Sequence, residues 1–413
     1  MTMRSLWRHP DFVKLWTGQT ISELGSVVTR TALPIAAVIT LHASAIEMGV
    51  LVACASVAVL LVGLAAGAVV DRVARRPLMI VADAGRAALL LSIPVAAYAG
   101  ALRIEQLYAI AFLEAALGSF FDVAYRSYLP ALLPPERLLD GNAKLGMTGA
   151  LAELGGPGVG GALVQVFTAP IAMLVDGVSY VASAVSIALI GTAERAAARV
   201  ETAAGLRREI ADGLRTVWHE PTLRAIALNS VAGALFGNFF ASLYTLYAID
   251  ELGLSPLLLG IVISAGGVGS LAATVATGPL TRRWGLGPTI IRTRIAAAAF
   301  SVLMPLAGGP PLLAATFLFI PQLIGDAFRS VAIIDTLTTR QLIAPPRLLG
   351  RVNGTMHMLI EGVAPVGALV GAALAEAFGI RVAVWVAVLG VMGSIAFLVF
   401  SPLRTLRGVA LAA

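Results

Sequence analysis

Apolar stretches of roughly 20 residues, each long enough to cross a hydrocarbon core, recur along the chain between short polar breaks. Twelve are read at about 12–40, 46–70, 78–99, 104–127, 142–166, 170–191, 223–249, 257–280, 289–306, 312–337, 352–375 and 382–400. At about 34 residues per span, loops included, they leave no room for an added soluble domain. The longest break, 192–221, is polar and mixed in charge, and within it 206–217 alternates apolar and charged residues at helical spacing. That pattern predicts an amphipathic helix on the inner membrane surface. The expected organisation is a six-helix bundle over 1–191, a cytoplasmic linker over 192–221, a second six-helix bundle over 222–402 and a cytoplasmic tail over 403–413.

Composition removes the soluble alternatives. Of 413 residues, 58% are hydrophobic and 13% charged, about half the charged fraction of an ordinary soluble domain. Such a chain cannot cover a water-facing surface, so a large soluble enzyme, a disordered chain and a disulfide scaffold are excluded. The lone cysteine, Cys54, lies in an apolar run and reads as inert packing.

The net charge of +6 reports orientation rather than nucleic-acid binding, because the basic residues lie on one side of the span pattern. One set of loops carries Arg4, Arg8 and Lys14; Arg72, Arg75 and Arg76; Arg137; Arg195, Arg199, Arg207, Arg208 and Arg215; Arg282 and Arg283; Arg340 and Arg347; Arg404 and Arg407. The opposite face offers Arg103 and Arg381. This asymmetry predicts both termini in the cytoplasm. Glu23 and Arg30 interrupt the first apolar run, which therefore does not read as a cleaved signal peptide.

The sequence also repeats. An offset of 211 pairs Trp7 with Trp218, Pro10 with Pro221, Gly49 with Gly260 and Gly67 with Gly278. The same offset pairs Arg72 with Arg283, Asn142 with Asn353, Gly156 with Gly367 and Gly160 with Gly371. Two parallel six-span halves predict an all-α integral membrane protein of twelve transmembrane helices in two pseudo-symmetric bundles, with a carrier's binding site between the halves. The four histidines, His9, His42, His219 and His357, are not spaced as metal ligands, so neither a metal nor a catalytic residue is expected.

Between spans two and three the chain reads Gly67-Ala-Val-Val-Asp71-Arg72-Val-Ala-Arg75-Arg76, with a degenerate copy from Gly278 to Gly285 that lacks the aspartate. This resembles the signature loop of the major facilitator superfamily, G-x-x-x-D-R-x-G-R-R, with Ala74 in place of the second glycine. Gly67 lets helices approach closely, and Asp71 can face a helix N-terminus or an arginine. Further segments are similar to the drug/proton-antiporter branch that includes macrolide-efflux and enterobactin-exporter-like proteins. They are Leu15 to Ser26, Asp122-Val-Ala-Tyr125-Arg126 running on to Pro130, Gly141 to Lys144, and Leu349 to Asn353 with Pro365 and Gly367. Span five carries Gly155-Gly156-Pro157-Gly158-Val-Gly160-Gly161, similar to the antiporters' glycine-proline motif. Ala143 and Ala152 stand where its longer form has glycines. The run makes a bendable, close-packing helix face.

Ionisable groups at membrane depth are costly and mark function. Glu23 and Arg30, two turns apart on span one, Glu114, Glu153, Asp326 with Arg329, and Glu361 all fall mid-span. They are the candidates for proton coupling or the substrate cavity, Glu23 first and held by Arg30, Glu361 next. Asp122 and Arg126, at the inner end of span four, join the signature loop as gating candidates that would pair with Arg72 or Arg75. The resemblance implies a proton-coupled exporter of amphipathic small molecules of drug, macrolide or siderophore type. It would use no cofactor beyond the proton gradient and act as a monomer in the bacterial inner membrane, partnered by its small-molecule substrate, protons and the lipid bilayer. An importer or uniporter of the same fold is the nearest alternative. A non-transporting membrane sensor or assembly protein is a more distant one.

Overall fold

The computed structural model describes residues 6–70, 72–192 and 206–407. Among them there are α-helices, short 3-10 and π turns, and no strand. Helices are forced: in lipid every backbone N–H and C=O must be satisfied within its own segment.

The first unit comprises Met1–Ala43, Cys54–Glu201 and Ser255–Ser264. Its helices are α1 (Pro10–Ile35), most of α2 (Ala45–Val70), α3 (Arg75–Tyr98), α4 (Ile104–Leu132), α5 (Pro135–Val166) and α6 (Ala169–Ala188). The second unit comprises Ser44–Ala53, Thr202–Leu254 and Ala265–Ala413. It holds α7 (Leu206–His219), α8 (Pro221–Leu246), most of α9 (Pro256–Trp284), α10 (Leu286–Ser301), the short α11 (Leu303–Leu306), α12 (Pro311–Ile320), α13 (Asp326–Ile343), α14 (Leu349–Phe378), α15 (Ile380–Ser394) and the short α16 (Ala396–Val399). Each unit thus takes in the first turns of one helix whose remainder lies in the other.

Eleven described helices are long and apolar enough to span a bilayer, against twelve read from the sequence. The remaining stretch is the helix α5, 32 residues long. Lys144, Glu153 and its glycine run dilute its apolar character, so it reads as a span through position in the repeat rather than through hydropathy. Residues 206–217 lie within α7, which packs on α14. Arg351 donates to Asp212 at 2.7 Å, and a Cβ on Gly213 would strike Thr355 Oγ1.

The internal repeat is visible as matched contacts within the two units. A π-helical turn follows α1 at Ala36–Thr40 and another follows α8 at Tyr247–Glu251, an offset of 211. In the first unit a Cβ on Gly156 would meet Val27, on Gly160 Val28 and Thr31, and on Gly260 the carbonyl of Pro157 and Cα of Gly161. In the second unit Gly367 stands against Asn238, Gly371 against Phe239, and Gly49 against Ala372 and the carbonyl of Ala368. Moved by 211, residues 27, 28, 157 and 161 become 238, 239, 368 and 372. Small residues at these points let helix backbones touch, which supplies much of the attraction where lipid offers no hydrophobic drive.

Candidate functional site

The first unit contains a cavity of about 490 Å³ with a polar lining that includes Gln19 and Glu23 of α1, Asp122, Tyr125 and Arg126 of α4, and Asn142 of α5. The antiporter-like segments of spans one, four and five therefore converge on one space, and Glu23 shares it with Asp122 and Arg126. Asp122 and Arg126 face this cavity, and neither is paired with Arg72 or Arg75. Among the described residues Glu23 has no hydrogen bond or ion pair. Arg30, expected to hold Glu23, instead donates to Glu153 Oε1 of α5 at 2.5 Å. Seven residues on one helix face put Arg30 near Glu23 in sequence, but the neighbouring helix presents a carboxylate in better reach.

Behind this cavity lies a network that sequence reasoning largely missed. Arg86 of α3 donates from Nε and Nη2 to Glu114 Oε1 at 3.0 and 2.5 Å, and its guanidinium lies 4.0 Å from the ring centre of Tyr180 on α6. The Tyr180 hydroxyl donates to the same glutamate oxygen at 3.1 Å and meets Ser26 Oγ at 2.8 Å. Two aspartates, Asp83 of α3 and Asp176 of α6, are fully buried beside it. Ser179 donates to Asp176 at 2.9 Å, while Asp83 has Arg86 Nη1 at 4.0 Å as its nearest cation. Of the ionisable members of this set the sequence reading named Glu114 alone. The rule that flagged it, a charge inside an apolar run, also flags Asp83, Arg86 and Asp176.

In the second unit Asp326 and Arg329 pair at 2.5 Å and line a separate cavity of about 300 Å³ together with Arg294 and Arg340. Glu361 on α14 lies 3.9 Å from His357 Nδ1 and is not a lining residue of this cavity.

Of the proposed gate, Asp71 lies outside the described residues. Gly67 lies within α2 and Arg72 in the turn after it. Arg75 opens α3, and Arg76 donates to the carbonyls of Ile187 and Ala188 at 3.1 and 2.5 Å. Arg76 thereby caps the C-terminal end of α6, where a cation is favoured. The glycine-proline run of α5 packs on α1 through Gly156 and Gly160 and on the start of α9 through Gly161. Gly158 N–H turns outward to Ser264 Oγ at 2.9 Å.

Residues 15–361 match the family model of the Major Facilitator Superfamily. The chain belongs to that superfamily. It is a multi-pass membrane transporter and not an enzyme. It is 27% identical to the multidrug efflux pump Tap of Mycolicibacterium fortuitum, covering 82% of this chain and 83% of that one. Tap of Mycobacterium tuberculosis is 26% identical over 92% and 90%. A bacterial homologue of the iron transporter ferroportin, solved in an inward-facing state, superposes with a TM-score of 0.75 at 17% identity, covering 96% of this chain and 99% of that one. The efflux-pump relatives agree with the drug-efflux-like resemblance of the sequence, and the superposition carries the superfamily fold.

Proposed function

We propose that the chain is a proton-coupled exporter of amphipathic small molecules, working by alternating access as a monomer in a bacterial inner membrane with both termini in the cytoplasm. The observation that supports this reading is Glu23, a carboxylate without an ion-pair partner among the described residues, which opens onto the same cavity as Asp122. A coupling group must exchange its proton with water on one side and be dried or neutralised on the other. A carboxylate already committed to an arginine would resist that exchange, and Glu23 is not so committed. Similarity to the Tap efflux pumps supports the outward direction.

The test uses inverted membrane vesicles holding the full chain, a lumen-acid pH step, and one cationic and one anionic fluorescent amphiphile. Accumulation of either dye that collapses with an uncoupler is the expected result. Accumulation only in right-side-out vesicles would instead make the chain an importer.

A further inference from the structure

The cavity of the second unit has an unbalanced charge. Arg294 of α10 and Arg329 and Arg340 of α13 line it, against a single acid, Asp326. Arg329 is committed to Asp326. Among the described residues the side chain of neither Arg294 nor Arg340 makes a hydrogen bond or an ion pair, and the Nε of each is buried without a partner. The other nearby acid on α13, Asp335, accepts from Thr281 at 2.7 Å. Guanidinium groups do not shed their charge in proteins, so this cavity holds two partly buried cations, each with its Nε enclosed, that have no counter-charge among the described residues. That arrangement is costly unless something anionic completes it.

The repeat sharpens the contrast. Position 83 moved by 211 is position 294, so the buried aspartate of the first unit corresponds in the second to an arginine whose Nε is buried. Gln19 and Glu23 of the first cavity correspond to Ser230 and Ala234, which line the second. The two cavity linings thus carry opposite charge, Glu23 and Asp122 against Arg126 in the first unit and three arginines against Asp326 in the second.

We infer that the second-unit cavity is an anion-recognition site, in which Arg294 and Arg340 clasp a carboxylate or phosphate group of the transported solute. The planar forks of two guanidinium groups match such oxyanions in geometry as well as charge, and Thr336 and Ser230 add hydroxyls to the same lining. This deepens the transporter reading and rests on it: the substrate is an amphiphile with an acidic group.

The experiment is isothermal titration of the purified full chain in a neutral detergent, with benzoate, methyl phosphate and, as the opposite charge, benzylammonium. At least one of the two anions should bind and benzylammonium should not. Arg294→Gln and Arg340→Gln should each weaken anion binding by roughly tenfold or more, the loss expected when one charged partner is removed, while Arg294→Lys should retain part of it. Should Arg294→Gln not fold, Arg340→Gln and Arg294→Lys still decide the matter. The inference is overturned if neither anion binds, if both Gln variants bind as the parent does, or if benzylammonium binds equally well. The chain is also titrated in nanodiscs of phosphatidylcholine and of phosphatidylglycerol. Arginine-dependent stabilisation by phosphatidylglycerol, with no binding of the soluble anions, would make the ligand a lipid headgroup and overturn the solute assignment. Anion binding without pH-driven dye accumulation would defeat the export reading alone. Accumulation without anion binding would defeat this inference alone.

Discussion

Arg86 of α3 gives two hydrogen bonds to one oxygen of Glu114 on α4, at 3.0 and 2.5 Å, with the Tyr180 ring beneath its guanidinium. The pair is largely shielded from solvent, so its two ends depend on each other. Losing one partner of a buried pair costs about 3–5 kcal/mol, whereas replacing both with neutral groups of similar volume is close to neutral. Arg86→Met alone should therefore lower the thermal midpoint of the detergent-solubilised protein sharply, and Arg86→Met with Glu114→Gln should recover most of it. Equal melting of the single and double variants would mean the two residues are not energetically linked.

The glycine run of α5 offers an internal contrast. A Cβ on Gly161 would collide with the carbonyl of Pro256, and one on Gly49 would collide with Ala372, whereas a Cβ on Gly155 meets open space. Backbone cannot yield as a flexible side chain can, so Gly161→Ala should destabilise by about 1–3 kcal/mol, as overpacking does. Gly49→Ala, which meets both Ala372 and the carbonyl of Ala368, should fall in the same range. Gly155→Ala should stabilise its helix by about 0.5–1 kcal/mol. Melting curves of the three variants check this, and a destabilised Gly155→Ala would contradict the packing described.

Much of this was legible in the sequence because hydropathy and rare repeated residues are one-dimensional signals. The offset of 211 read from tryptophans, prolines and glycines reappears as the π turns at Ala36–Thr40 and Tyr247–Glu251 and as the Gly156 and Gly367 contacts. Partnership was not legible. Arg30 and Glu23 share a helix face, yet Arg30 bonds Glu153, 123 positions along the chain. Asp83, Arg86 and Asp176 form a site only when α3 and α6 pack together, which no spacing along the chain records. Arg294 was hidden likewise, because its significance lies in the absence of a partner.

The arginine asymmetry makes a topological prediction. In a background with Cys54→Ser, a cysteine replacing the exposed Tyr98, the last residue of α3, should react with an impermeant maleimide on intact cells. A cysteine replacing the exposed Arg347 should react only after permeabilisation. The reverse pattern would place both termini outside.

The signature loop is predicted to act in the transport cycle. Asp71 is its only acid, and three arginines lie within five residues of it. Asp71→Asn should leave membrane insertion and anion binding intact while slowing dye accumulation, because it removes the loop's one negative charge at nearly unchanged side-chain volume. Unchanged initial rates in vesicles at matched protein levels would reduce the loop to a topology signal.

The last prediction separates Glu23, which lines the first-unit cavity, from Glu153, which does not. Glu153 is bonded to Arg30, and both side chains are more than half exposed, at 53% and 58%. Such a pair contributes about 0–1 kcal/mol, and its carboxylate is committed to Arg30 rather than to the cavity. Glu23 has no such anchor among the described residues and opens directly onto the cavity it shares with Asp122 and Arg126. Glu23→Gln should abolish accumulation driven by an imposed pH step yet allow downhill equilibration of the same dye, since the amide keeps shape and polarity without titrating. Glu153→Gln and Arg30→Gln should each preserve driven accumulation with little change in melting temperature. If Glu153→Gln abolishes driven accumulation and Glu23→Gln spares it, the coupling carboxylate is on α5, and the Arg30 bond must open during the cycle.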